Sequence, residues 1–378
     1  MDRWPCIVIG LGAMGSSTLR ELAHRGVEAL GIERFTPGHA HGSSHGGSRV
    51  VRCAYFEHPD YVPLLTRSIA LWHRLESARG RQLLHRTGIL LAGKPGSEVV
   101  RGSVSSARLH GLAYEGLNAR MVNERFPMFA LPPMFEAMLE PETGYVRPEW
   151  AVEDSVADAR EHGATVMDGT RVMGIHARAD GVTVETDRGE FMADRAVVTV
   201  GPWCERLVPW PKAPVRVSRQ VLAWLDPVAP ASCAEGVLPT FCIDAPEGFL
   251  YGCPIAPDQP APAGLKVAWH IVGETVDPDG PIAPPTEAEG ESIAQAIARY
   301  APGCRGRVTT MRTCLYSNSP DGHFLIGPWG DSGRVTVASG FSGHGFKFMP
   351  VLGEALADLA MKGATHLPIG FLSPSRLG

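Results

Sequence analysis

The sequence predicts a chain that is part α/β and part α+β, and three observations lead there. Residues 6–33 read as strand, glycine turn, helix, strand. The middle carries a series of short strand-like segments and two proline-rich stretches. The last part returns to a strand, a glycine-rich turn and a helix. The two ends therefore belong to one unit, discontinuous in sequence and built on a parallel sheet. A second unit on a mainly antiparallel sheet interrupts it.

Cys6-Ile-Val-Ile-Gly10 is a short apolar run suited to a buried parallel strand. Residues 16–25 follow at helical period, with Leu19, Leu22 and Ala23 on one face and Gly26 as the stop. Residues 29–33 make a second strand, so the chain opens as a βαβ unit. Residues 36–48 are a loop rich in Pro, Gly, His and Ser. Residues 61–78 show helical period through Leu64, Leu65, Ser68, Leu71, Trp72 and Leu75, and 87–92 form a strand. Residues 152–161 read as a helix, and 164–167, 171–176, 181–186 and 191–200 as successive strands. Residues 254–262 and 278–285 are loops, because proline cannot sit in a central strand. Residues 287–300 are a helix and 334–338 a strand. A helix from about 349 to 362 follows the last glycine turn, with Pro350 in its first turn and Gly363 as its stop.

At about 150 residues per domain, 378 residues make two domains. The expected division is 1–85, 145–215 and 315–378 for the first, and 86–144 and 216–314 for the second. With 44% hydrophobic and 20% charged residues, the composition excludes a largely disordered chain. The 35 basic and 40 acidic residues leave a net charge of −5, which gives no footprint for nucleic acid or an anionic membrane. No apolar run reaches the ~18 residues of a spanning helix, and the N-terminus shows no export signal. A cytoplasmic protein with reduced thiols is expected. The eight cysteines include no CxxC pair, and no His/Cys/Asp cluster has ligand spacing, so no metal is expected.

Gly10, Gly12 and Gly15 fit G-x-G-x-x-G between a strand and a helix. Gly10 allows the tight turn, Gly12 lets backbone approach a pyrophosphate, and Gly15 lets the helix pack on the sheet. The helix N-terminus, at Ala13 and Met14, adds N–H groups and a positive dipole end. Glu33 ends the second strand, where a carboxylate accepts ribose hydroxyls and disfavours a 2′-phosphate. This is a Rossmann-like dinucleotide site, with a ligand-free glycine turn as the plain alternative. The motif alone does not separate NAD from FAD. Ser339 to Lys347 sets three glycines and a cation in front of a helix, which suits the anionic edge of a reduced flavin. An ordinary capped turn is the other reading of that segment.

Four segments carry a family resemblance. They are His45-Gly-Gly-Ser-Arg49-Val-Val-Arg52, Leu265-Lys266-Val-Ala-Trp-His270, Cys314-Leu-Tyr316-Ser-Asn-Ser-Pro-Asp321 and Gly340 to Lys347. In order and spacing the chain resembles the monomeric sarcosine oxidase and N-methyltryptophan oxidase family of flavin amine oxidases. The resemblance implies an FAD-binding domain, a substrate domain, and FAD held covalently as an 8α-S-cysteinyl adduct of Cys314. It implies further cofactor contacts at Arg34, Ser43, Ser44, His45 and Arg49, and at Val172, Gly201 and Trp203. In the last turn it implies Gly340, Gly343, His344, Gly345 and Lys347. Lys266 would lie near flavin N5 and promote the reaction with oxygen. Arg49 would lie over the flavin ring, and Arg52, helped by Lys347, would pair with the substrate carboxylate. His270 and Tyr316 would stand beside the substrate.

Residue chemistry agrees with these roles. A fixed cation stabilises superoxide as it forms. Arginine offers a carboxylate a planar fork that lysine lacks. Arg312, Cys314 and Tyr316 alternate and so share a strand face, and an arginine beside a thiol favours the thiolate. The plainer readings are a strand-edge lysine, a core histidine, a surface arginine pair and a buried cysteine. The chain also departs from the family. Gly47-Ser48 stands where Asp-Thr is usual, Cys53 where a histidine is common, and Leu250 before Tyr251 where two tyrosines are frequent. Phe56 and Trp269 are bulkier than usual, and several of these positions are expected near the substrate.

The sequence thus reads as an oxidase of a secondary, N-methylated α-amino acid. A hydride equivalent passes to FAD, the imine is hydrolysed, and O2 becomes hydrogen peroxide. Only small molecules are expected as partners of a monomer. The alternatives are a cyclic imino-acid oxidase (proline- or pipecolate-like), a glycated amino-acid oxidase, or a flavin dehydrogenase with another acceptor.

Overall fold

The structure, a computed structural model, describes residues 3–210, 212–259 and 261–378. Met1, Asp2, Pro211 and, within the first proline-rich stretch, Pro260 lie outside the described residues. The strand Arg3–Ile9 runs through the middle of an eight-stranded sheet. It is parallel to Gly189–Val198 on one side and to Ala29–Ile32 on the other, with Thr165–Met167 beyond. Residues 6–9 are fully buried, as their unbroken apolar run requires. Val335–Ser339 is parallel to the end of Gly189–Val198, and Leu325–Trp329 returns antiparallel to it. Val172–Arg178, Gly181–Thr186 and Gly189–Val198 form an antiparallel meander at the other edge.

The helix Ala13–His24 packs against both Pro148–Glu161 and Met349–Lys362. A Cβ on Gly353 would lie 2.2 Å from Ser17 Oγ, so the first and last helices meet nearly backbone to backbone. The helix Tyr61–Arg79 covers the same layer through Leu64, Leu65, Leu71 and Trp72. This packing fixes both glycine turns, from opposite ends of the chain, over one end of the parallel strands. Ligands of such sheets bind at the carboxyl ends of the strands.

The second sheet also has eight strands. Its spatial order is Gly306–Asn318, Arg216–Pro227, Leu265–His270, Gly248–Cys253, Thr240–Ala245, Ile89–Gly93, Glu136–Glu140 and Glu115–Asn118. All neighbours are antiparallel except Thr240–Ala245 with Ile89–Gly93. A small third sheet joins Arg49–Val51, Gly144–Val146 and Leu84–His85. The molecule is mixed α/β and α+β, as the sequence implies.

Strand alternation decides which side chains face the site. Leu265, Val267 and Trp269 pack into the core shared with the helix Glu287–Tyr300, as does Leu250. Ala268, Tyr251 and Cys314 lie in the core on the opposite face. Trp269 and Leu250, two of the departures from the family, therefore lie on the face opposite Ala268, Tyr251 and Cys314. The helix expected at 152–161 starts earlier, at Pro148, because proline fits the first helical turn. The helix Glu98–His110, capped by Ser97, is absent from the sequence reading. Its buried face is Val99, Val100, Ser103, Ser106 and Ala107, too small and polar to give a clear period.

Candidate active site

A cavity of about 340 Å3 runs along the carboxyl ends of the parallel strands. At one end are Gly10, Gly12, Ala13 and Met14, with Glu33 and Arg34 from the second strand. Gly10 has φ +84°, a conformation that favours glycine. A Cβ on Gly15 would lie 1.8 Å from Gly10 O, so Gly15 is set by packing and does not line the cavity. Glu33 accepts the N–H groups of Leu11 and Phe35, at 2.7 and 2.9 Å. Val172, Gly201 and Trp203 line the same end, and Ser43, Ser44 and Arg49 the middle. Gly343 and Gly345 line the cavity from the last turn, whereas Gly340 packs on Ser319 and Leu325.

One cluster gathers around Arg49. Its Nη2 donates to Cys314 Sγ at 3.3 Å and to Ser43 O at 3.0 Å. The arginine at this thiol is thus Arg49; Arg312, its neighbour by alternation, lies 5.9 Å over the Trp224 ring. Lys266 is 1% exposed and donates through Nζ to Ser48 O. Burial, then the charge of Arg49, lowers its pKa to about 7. His270 Nδ1 and Tyr316 Oη are 3.1 Å apart. Burial lowers the His270 pKa to about 4, so the ring is neutral, and burial pushes Tyr316 up. A Cβ on Gly343 would lie 2.3 Å from the Tyr316 ring, so that turn closes directly on the tyrosine.

A second cluster gathers around Tyr55. Arg52 stacks 4.0 Å over the Tyr55 ring and 4.4 Å over Phe56, and its Nη2 donates to Glu57. Burial would raise the Glu57 pKa, but Arg52 overrides it and holds the carboxyl at about 2. Lys347 donates to His344 O at 2.7 Å and stands 3.4 Å from Tyr55 Oη. Burial, then Arg52, lowers its pKa to about 7. His344 bonds Tyr55 Oη at 2.6 Å and Gly322 O at 2.9 Å, outside the cavity lining.

The family description "FAD dependent oxidoreductase" matches residues 6–359. The chain belongs to the FAD-dependent oxidoreductase family. Within it, the chain is 39% identical to the monomeric sarcosine oxidase of Streptomyces avermitilis, over 98% of this chain and 97% of that one. It is 33% identical to the N-methyl-L-tryptophan oxidase of Yersinia pestis, over 98% of both. These relatives set it in the monomeric sarcosine oxidase and N-methyltryptophan oxidase group of FAD-dependent oxidoreductases. Among solved structures the fold is similar to NikD, an unusual amino acid oxidase of nikkomycin biosynthesis. The TM-score is 0.85 at 24% identity, over 99% of this chain and 98% of that one.

The residues fit the FAD of this family of oxidoreductases. Gly12, the N-cap of the first helix, has no side chain to cap it; Ser44 Oγ accepts Ala13 N–H at 3.2 Å, so the glycine turn and this serine would flank a phosphate at the helix end. A Cβ added at Gly12 would make one ordinary contact, with Ser44 Oγ at 3.5 Å, so the backbone here is little crowded. Among the described residues, Ser43 Oγ and both ring nitrogens of His45 are buried without a partner. Burial lowers the His45 pKa to about 3, so it is a neutral ring with a free donor and a free acceptor.

Three acidic residues absent from the sequence reading shape the site. Asp279 lines the cavity and takes Arg34 at 2.6 Å and Trp203 Nε1 at 2.9 Å. Glu149 accepts the N–H groups of Gly46 and Gly47. Glu57 pairs with Arg52. Of the three, only Glu57 carried a signal, an acid five residues beyond a candidate arginine. Among the described residues, His24, Asp158 and His162 also come together. They lie outside the cavity lining, and Asp158 is engaged by Arg20 and His24.

Proposed function

We propose that this enzyme oxidises a secondary, N-methylated α-amino acid, with FAD joined covalently to Cys314 and oxygen as the acceptor. The observation that carries the reading is the two cation clusters: Arg52 with Lys347 around Tyr55, and Arg49 with Lys266 beside Cys314. The first suits a substrate carboxylate and the second a developing oxygen anion. Bound FAD supplies the two-electron acceptor between substrate and oxygen. Arg52 and Lys347 hold the carboxylate, and the neutral His270–Tyr316 pair lines the substrate without competing for its charge. Arg49 donates to the Cys314 Sγ at which the covalent bond would form. Lys266 holds a proton and a positive charge where oxygen is reduced.

The CH–NH unit gives up two electrons and two protons, which with O2 make hydrogen peroxide. Water hydrolyses the imine to formaldehyde and the primary amino acid. In this reading the segments 1–85, 145–215 and 315–378 carry FAD, and 86–144 and 216–314 carry the substrate. The strand memberships support that division, with Gly306–Asn318 crossing its boundary at 314. The test is oxygen uptake over N-methyl, cyclic and glycated amino acids. N-methyl substrates should give peroxide and formaldehyde in equal amounts. Uptake with cyclic or glycated substrates alone overturns the substrate class.

A further inference from the structure

The Gly46–Gly47 turn lies between the two ends of the proposed site, and one helix start holds it from both sides. Gly46 has φ +101° and Gly47 φ +74°, and their successive N–H groups converge on one carboxylate, as in a small anion-binding nest. The Glu149 carboxylate fills that nest. Its Oε1 accepts Gly46 N–H at 2.6 Å and Gly47 N–H at 3.1 Å, and its Oε2 accepts Gly47 N–H at 3.2 Å. From the same turn, Arg147 donates to Gly47 O at 3.3 Å and to Asp258 at 2.7 Å. Arg147 is the N-cap of the helix Pro148–Glu161, and Glu149 is in its first turn.

The peptide held this way ends at Ser48, whose carbonyl receives the Lys266 ammonium. Space around the turn is tight: a Cβ on Gly46 would lie 2.6 Å from Leu222, 3.1 Å from Arg49 Nη1 and 3.5 Å from Lys266 Nζ. Glycine at 47 enters the left-handed region without steric cost, and the carboxylate in the nest comes from Glu149.

We propose that Glu149 is a positioning residue for Lys266: by filling the Gly46–Gly47 nest it sets the Ser48 carbonyl that takes the ammonium and brings a carboxylate to the same turn. The inference rests on the reading of Lys266 as the cation of the oxygen step. The titratable groups around Lys266 are Arg49 and His45 from the loop and the strand after it, Cys253 from the adjacent strand, Cys314 from two strands away, and Glu149 from the helix. Arg49 and burial push the lysine toward neutrality, and Glu149 opposes them.

The experiment uses the FAD-loaded enzyme and its Glu149→Gln variant. Amide hydrogen exchange across residues 43–52 should become several-fold faster in the variant. The pH at which flavin reoxidation slows should fall by about one unit, while anaerobic reduction by substrate stays within about twofold. Glu149→Asp keeps the charge and should keep the wild-type pH midpoint. If the Gln variant does not fold, the Asp variant decides the matter by the same exchange measurement. Unchanged exchange, or a Gln variant with the wild-type pH midpoint, overturns the inference. A Lys266→Met enzyme that reoxidises at the wild-type rate overturns the oxygen role of Lys266 instead, and the exchange result then stands as the test of Glu149 alone.

Discussion

Arg52 shows what a single residue contributes. It is 4% exposed, stacked on two aromatic rings and neutralised by Glu57, so its fork is held ready in a desolvated setting. Arg52→Met should raise the apparent Kd of a carboxylate-bearing substrate by roughly 100-fold. Titration of the anaerobic enzyme checks this, and an unchanged Kd removes Arg52 from carboxylate binding. Lys347 gives the site its pH dependence. Its pKa lies near 7, below the ordinary lysine value of 10.5, so the ammonium loses its proton as pH rises through neutrality. Glu57, held at about 2, and Arg52 keep their charges throughout that window. Affinity for a carboxylate ligand without an amine should therefore be full below pH 7. It should weaken above, by at most about tenfold per pH unit. Affinity that is flat from pH 6 to 9 would contradict it.

At the scale of elements, the two glycine turns carry the argument. A Cβ on Gly15 would sit 1.8 Å from Gly10 O and 2.5 Å from Thr199 Oγ1, and neither the backbone nor its neighbours can give way cheaply. Gly15→Ala should cost about 1–3 kcal/mol or more, read as a lower Tm and weaker FAD retention. A variant melting with the wild type would mean that the helix sits less tightly than described. The elements legible in the sequence were those with a strong period or clear stops. The helices Glu287–Tyr300 and Met349–Lys362 are legible because their apolar period is strong and, for the second, Pro350 and Gly363 mark its ends. The strands Arg216–Pro227 and Thr240–Ala245 were missed, because burial on both faces erases the alternation that marks a strand. In the site, residues inside recognisable segments were legible: Arg49, Lys266, Cys314, Lys347. Glu149 and Asp279 were not, because their partners lie over 70 residues away and an acid in a first helical turn or a proline-rich loop looks ordinary.

At the scale of the whole molecule, Cys314 belongs to the second sheet while Arg49 opens a strand of the small third sheet and lines the cavity. A covalent flavin there would tie the two together. Acid-precipitated wild-type protein should stay yellow, and Cys314→Ser should release its FAD to the supernatant; a colourless wild-type pellet would refute the bond. If this flavoenzyme gives its electrons to oxygen with the help of a buried cation, Lys266→Met removes that help. The substitution keeps the length of the side chain and removes its charge. Rapid mixing of the pre-reduced variant with oxygenated buffer should show reoxidation slowed by about 10²–10³-fold. Anaerobic mixing with substrate should show flavin reduction little changed. A variant that reoxidises as fast as the wild type would contradict the account and favour a dehydrogenase that uses another acceptor.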